Sequence, residues 1–399
     1  MNRYCLLAFA LICNCAQATS SFNFGNERGP YAVGFRAEFL YDLSRTYSRL
    51  AAAPLLSTKA VPVTTSDSPP AGARPIQTLI WYPASESLKP MNYGEYIEFG
   101  VNRENFKLSA REIKAAVKPL LKLYGWADDQ ITEESNRIQW ATREAKPAAG
   151  KFPVVIYAPS FRSPAYENLD LCEYLASQGF IVLASPSQGA AGGGMTMDLA
   201  GINAQVTDIH FLMRHAEYIG EADTKRIAIV GFSWGGISNA FAAVNKPNVR
   251  ALVFLDGSIR YPPDNLDISN LNSGSRFDIP MLYFSQRKAQ SNDAQMKMDA
   301  GDKILAKLTH QPFYIFTMNF MNHQDYGSLM IREFGLRKYV TIPPEKVSAS
   351  YDAMALYVYH FLNAFLKNDV ISKQFMSRSS AANRVPVELI SGKLAGSAP

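Results

Sequence analysis

The five residues Gly231-Phe232-Ser233-Trp234-Gly235 constrain the fold more than any other stretch of this chain. The β-branched run Ile227-Ala228-Ile229-Val230 precedes them, and Ile237 to Val244, a run suited to a helix, follows. The pattern reads as a strand entering a sharp turn that opens a helix, with one serine raised at its tip. The positions two before and two after that serine approach each other too closely for a side chain, so both are glycine. The serine oxygen then stands above the sheet, and the first N–H groups of the helix point to where negative charge would develop. A glycine-rich structural turn is the plain alternative, and the strand before and helix after weigh against it.

From Pro153 onward, strands and helices alternate. Apolar runs fall at residues 154–157, 180–184, 227–230, 251–255, 281–284 and 313–316. Helical patterns occupy 168–177, 202–218, 234–244 and 294–308, and a last one spans 349–366. Continuous apolar runs separated by crossover helices predict an α/β fold with a mostly parallel central sheet and helices on both faces. The 399 residues, 47% hydrophobic and 19% charged, suit one such domain with insertions. The net charge of +5 is small and unclustered, so nucleic acid is not an expected partner.

Residues 1–18 read as a signal peptide: Arg3 is the positive flank, residues 4–13 the apolar stretch and Ala16-Gln17-Ala18 the cleavage site. The apolar stretch is shorter than the ~20 residues that span a bilayer, so export without a transmembrane segment is expected. Cleavage near Ala18 removes Cys5, Cys13 and Cys15 and leaves Cys172, which sits at helical spacing with Leu169, Leu175 and Ala176 and reads as a core thiol. Residues 19–368 then form one domain. Within it, 31–41 is expected to be an antiparallel edge strand and 77–82 a strand stopped by Pro83. Residues 88–149 read as a helical insertion acting as a partial lid. Ser109-Ala110-Arg111-Glu112 signals the start of one helix and 131–145 a second. Tyr93, Tyr96, Phe99, Trp126 and Trp140 are candidates either to line an acyl pocket or simply to pack the insertion. Gly192-Gly193-Gly194 lacks the Gly-Lys-Ser/Thr of a phosphate loop. Residues 369–399 are expected to be a weakly ordered tail.

A serine nucleophile needs a base and a third group that orients the base. In a doubly wound sheet these come from strand C-terminal ends, in the order Ser, acid, His. Of five histidines, His210 and His215 precede the serine, His310 precedes its strand, and His360 lies among core residues of the last helix. Only His323, in the loop after 313–316, fits the base. Asp256, ending the run 251–255, is favoured as the acid. Asp293, in the loop after the next strand, is the alternative, and Asp325 is read as shaping the histidine loop. Two backbone donors would complete an oxyanion hole: the N–H of Trp234, and one from Ala158-Pro159-Ser160-Phe161-Arg162, where proline cannot donate and Phe161 is the best candidate.

Taken in order, Gly29–Gly34, Phe152–Tyr157, Leu175–Val182, Gly231–Gly236, Phe254–Gly257 and Asn322–Tyr326 resemble the α/β-hydrolases of the platelet-activating-factor acetylhydrolase and dienelactone-hydrolase-like esterase group, from about residue 29 to 366. The resemblance implies a Ser233, Asp256, His323 triad, oxyanion donors at Phe161 and Trp234, and hydrolysis of small-molecule or lipid esters without metal or cofactor. It departs from the group at Pro159-Ser160, where His-Gly is common, and it lacks the nucleophilic cysteine of true dienelactone hydrolases. The expected function is an exported serine esterase. An inactive hydrolase-fold binding protein is the alternative of another class. An exported serine peptidase would usually bring a large N-terminal propeller.

Overall fold

Strands apolar at every position must be covered on both faces, and the alternation along each strand shows how the two covers divide. The computed structural model describes residues 22–47, 72–86, 88–123, 126–192, 194–260, 279–287, 312–332 and 342–395. The sheet strands are β1 (Ala32–Thr46), β2 (Ala73–Ala84), β3 (Pro90–Asn92), β4 (Ile138–Arg143), β5 (Phe152–Ala158), β6 (Ile181–Ala184), β7 (Ala222–Phe232), β8 (Val249–Leu255), β9 (Met281–Ser285), β10 (Phe313–Met318) and β11 (Ile390–Ala395). They form one eleven-stranded sheet in the order β11-β10-β9-β8-β7-β5-β6-β2-β1-β4-β3. Strands β6, β5, β7, β8, β9 and β10 are mutually parallel, and β2 and β11 flank them antiparallel.

The helices are α1 (Tyr93–Val101), α2 (Ala110–Leu123), α3 (Asp128–Ser135), α4 (Leu169–Ser177), α5 (Leu199–His215), α6 (Trp234–Ala243), α7 (Ser328–Arg332), α8 (Pro344–Leu366) and α9 (Val370–Ser377). Val155, Tyr157, Val230 and Val253 face a core shared with α4 and α8. Their neighbours Val154, Ile156, Ile229 and Leu252 face a second core shared with α5 and α6. One apolar residue for each face, taken alternately, is why these strands carry no polar alternation. Cys172 is buried in the first core and burial pushes its thiol pKa well up, as a core thiol requires.

Four expectations need correction. Residues 31–41 do not form an edge: β1 pairs with β2 on one side and, in parallel, with β4 on the other. Pro83 does not stop β2, which continues to Ala84 with Pro83 opposite Val33. Residues 131–145 are not one helix, because α3 ends at Ser135 and β4 then joins the sheet. Residues 370–395 are ordered, as α9 followed by β11, which pairs antiparallel with β10. Met376, Val385, Leu389 and Ile390 are buried in the first core. The helix predicted at 294–308 lies outside the described residues, as do residues 1–18.

The insertion sits at the sheet edge, where β3 and β4 extend the sheet beyond β1. Of the five candidate aromatics, Trp140 lines a small cavity with Phe22, Phe24 and Arg137, and the other four are packed away from solvent. Tyr93, Tyr96, Phe99 and Trp126 are buried in the first core and Trp140 packs against it. Tyr96 accepts from the Trp81 indole N–H at 3.0 Å and donates to Glu173 at 2.8 Å. Buried Arg332 of α7 reaches Asp170 of α4 at 2.6 Å, and Glu134 and Gln139 of the insertion at 3.2 Å each. A guanidinium taken out of water needs such partners, and removing one would strand the others.

Leu389→Ala and Met376→Ala each remove a buried side chain, so we expect each to lower unfolding free energy by about 2–5 kcal/mol in chemical denaturation. A loosely attached C-terminal segment would give values near zero.

Candidate active site

Four strand ends bring the site together at the C-terminal edge of the parallel strands, where ligands of open α/β sheets bind. Ser233 follows β7, Asp256 follows β8, His323 lies five residues beyond β10, and Phe161 lies three beyond β5. Ser233 has φ 50° and ψ −116°, a backbone conformation that serine rarely adopts. Three hydrogen bonds hold it there: Ser233 N–H donates to Leu255 at 3.1 Å, and its carbonyl accepts from Gly236 at 2.9 Å and Ser258 at 2.8 Å.

Glycine is demanded by contact. A Cβ on Gly231 would stand 2.3 Å from the Gly235 carbonyl oxygen, as the motif implies. A Cβ on Gly235 would stand 2.0 Å from the Ala158 oxygen, so the second glycine is required by the end of β5. Gly236 plays a part that the motif alone does not reveal. Its Cβ would fall 2.4 Å from the Cα of Gly257, so α6 rests against the residue next to Asp256.

The side chains meet accordingly. His323 Nε2 lies 2.7 Å from Ser233 Oγ, and His323 Nδ1 lies 2.6 Å from Asp256 Oδ2. With Asp256 ionised, Nδ1 carries the proton and donates to the carboxylate, which leaves Nε2 to accept from the serine hydroxyl. Asp256 is buried, and its other oxygen accepts the Gln286 N–H at 3.0 Å. The Gln286 side chain in turn accepts the His323 backbone N–H at 3.0 Å. One residue beyond β9 therefore holds both acid and base, and nothing in its local sequence marks it. The imidazole is tilted against Phe232, ring centres 5.4 Å apart, and 42% of the His323 side chain stays exposed. Such a chain can move a proton from the serine hydroxyl to the imidazole and release an alkoxide-like nucleophile.

The remaining candidates are elsewhere. His210 binds the Ala242 carbonyl at 2.9 Å, His215 lies 2.7 Å from Glu38, and His360 is stacked on Phe375 with its pKa pushed down to about 4 by burial. His310 and Asp293 lie outside the described residues, and Asp256 occupies the acid position beside the imidazole. Asp325 accepts from Asn322 N–H at 2.7 Å and caps the turn His323–Tyr326.

The loop after β5 places Phe161 beside Trp234, ring centres 5.9 Å apart and edge to face. Trp234 is the first residue of α6, where N–H groups lack helical partners. Among the described residues, neither the Phe161 nor the Trp234 N–H has a hydrogen-bond acceptor. The Ser160 N–H is engaged at 2.8 Å by Glu167. Arg162, at φ 62°, reverses the loop; its carbonyl accepts from Arg103 of the insertion at 3.0 Å.

A ferulic acid esterase from Streptomyces cinnamoneus has a similar structure, with a TM-score of 0.62, 17% identity, and coverage of 92% of this chain and 98% of that one. The chain has the α/β-hydrolase fold. Residues 140–273, which include Ser233 and Asp256, match the dienelactone hydrolase family. Over 130 residues, 28% of this chain, it is 28% identical to a putative carboxymethylenebutenolidase of Yersinia pestis. That match spans 45% of the Yersinia protein's length.

We expect Gly236→Ala to destabilise the fold by about 1–3 kcal/mol, because the methyl group must displace backbone. Gly220→Ala, with nothing within 4 Å of its Cβ, should be near neutral. Equal effects from thermal or urea unfolding would refute the contact argument.

Proposed function

We propose that this chain is a serine hydrolase that cleaves carboxylic ester bonds through an acyl-enzyme on Ser233. The observation that carries the reading is the unbroken hydrogen-bonded series from Ser233 through His323 to Asp256. In the first half-reaction, His323 takes the Ser233 proton as Oγ attacks the ester carbonyl. The negative charge moves to the carbonyl oxygen, where the N–H groups of Trp234 and Phe161 receive it. Collapse breaks the ester C–O bond, and the imidazolium gives its proton to the departing alkoxide. Water then repeats the sequence: His323 accepts its proton, hydroxide attacks the acyl carbon, and the acid leaves as Ser233 regains its proton. Asp256 keeps the imidazole in the required tautomer and stabilises the imidazolium.

The family match and the esterase named among similar structures support an ester over an amide substrate. Small-molecule and lipid esters both suit the reading. Residues 1–18 have the make-up of a signal peptide, and we read the mature protein as exported.

A fluorophosphonate probe should label the folded protein at Ser233, and Ser233→Ala should abolish both labelling and turnover of p-nitrophenyl esters. Asp256→Asn should lower kcat by about 10⁴ while the fold persists. Absence of labelling, or turnover that survives Ser233→Ala, would leave a ligand-binding protein as the better reading. Faster cleavage of peptide amides than of esters would point to a peptidase. On expression in a host that exports it, the secreted protein should start close to Thr19 by intact mass. An unprocessed N-terminus in the cell would sink the export reading.

A further inference from the structure

Glu167 is buried at the foot of the loop that follows β5, and no ion pair reaches it among the described residues. A carboxylate out of water without a cation must be held by hydrogen bonds, and the donors here are specific. Oε2 accepts the Ser160 backbone N–H at 2.8 Å and the Tyr157 hydroxyl at 3.0 Å. Oε1 accepts the Ser160 hydroxyl, which lies 2.8 Å from the Ser163 hydroxyl. Burial pushes the Glu167 pKa above the ordinary carboxylate value, and the bonds from Ser160, Ser163 and Tyr157 pull against it.

The loop has few ways to present a donor. Pro159 has no N–H, and the Ser160 N–H is turned inward to the carboxylate. That leaves Phe161 as the first residue after β5 whose N–H is uncommitted. The turn closes when the Ser163 N–H donates back to the Ser160 carbonyl at 3.2 Å, with Arg162 left-handed between them. Glu167 also touches the other side of the site. Its backbone carbonyl accepts the Leu329 N–H at 3.0 Å, and a Cβ on Gly327 would stand 3.2 Å from its Cγ. Gly327 directly follows the turn that carries His323.

We propose that Glu167 is a positioning residue for the oxyanion hole: by claiming the Ser160 N–H it fixes the peptide that presents the Phe161 N–H, in register with the His323 loop. The proposal rests on the acyl-transfer reading of the site. It assigns Glu167 no contact with substrate. The carboxylate accepts at both oxygens, whereas a glutamine has one accepting oxygen and an amide nitrogen that must face a donor. Glu167→Gln therefore unsettles the loop with little change in volume.

The test measures p-nitrophenyl ester turnover and inhibition by a trifluoromethyl ketone, whose adduct with serine carries the same oxyanion. For Glu167→Gln we expect kcat to fall about 10- to 100-fold with KM within about threefold, below the ~10²–10³ that full loss of an oxyanion donor costs. The ketone Ki should rise by the factor that kcat/KM falls, as an effect on the transition state requires. Ser160→Ala, which keeps the N–H and removes only the hydroxyl, should show a smaller fall in kcat. It serves as the reporting variant where Glu167→Gln does not fold. Turnover unchanged in both variants overturns the proposal, and so does a kcat loss with unaltered ketone affinity. A wild-type protein that neither hydrolyses esters nor takes a fluorophosphonate on Ser233 overturns the acyl-transfer reading and this proposal with it. An active wild type with indifferent variants overturns this proposal alone.

Discussion

Backbone resting on backbone around the turn at Ser233 is the constraint from which the site's geometry follows. Gly235 lets the first turn of α6 lie against the carbonyl that ends β5, and Gly236 lets the same turn lie against Gly257 beyond β8. These contacts fix the ends of β5, β7 and β8 relative to one another to within the thickness of a methyl group. Hydrogen bonds from Ser233 to Leu255 and from Ser258 to Ser233 run across the same junction. A 2.7 Å separation between Ser233 and His323 tolerates only small errors in these positions, since protein hydrogen bonds span only about 2.5–3.2 Å and weaken steeply at angles below about 120°. The side chains meet because the main chain leaves them little choice.

The central sheet was legible because its strands are buried on both faces, and burial on both faces writes an unbroken apolar run. The runs at 154–157, 227–230 and 251–255 fall inside β5, β7 and β8. Legibility failed where burial comes from distant partners. Ile138 is exposed and Trp140 half-buried on β4, so its pattern carries no strand period, and its partners β1 and β3 lie on either side of it in the sheet. The C-terminal segment contributes only scattered apolar residues, such as Met376 and Leu389, among polar ones. They count as core because α8 and β10 meet them, which local composition does not record.

Within the site, chain order and strand ends pointed to Ser233 and His323 and favoured Asp256 over Asp293, because topology dictates which ends share a rim. The supporting residues were not readable. Gln286 earns its place through one bond to Asp256 and another to the His323 backbone, 30 and 37 residues away in sequence. Glu167 looks like any glutamate opening a helix, and its partners Tyr157 and Ser160 have no spacing that marks a site. Gly236 came closer to being readable, as a second glycine beyond the motif, but the need for it lies in Gly257.

The rim also gathers what a fold otherwise avoids. Ser233, Asp256 and Arg162 have positive φ, and each such residue costs on the order of 1–3 kcal/mol. Glu167 is a buried carboxylate with neutral partners, Asp256 is buried against an imidazole, and two N–H groups at the mouth have no described acceptor. An acceptor placed on those two donors would raise stability and fill the space where a developing oxyanion would sit. Exposing Glu167 would relieve its desolvation and free the Ser160 N–H to compete with that of Phe161. Three of the chain's positive-φ residues thus share one rim, with others at Glu144, Asn245, Asn368 and Arg384, while the two cores on either side of the sheet supply the stability that tolerates them. Elements far from the rim can gain stability without a functional cost, whereas on the acyl-transfer reading a more stable arrangement at the rim is a less reactive one.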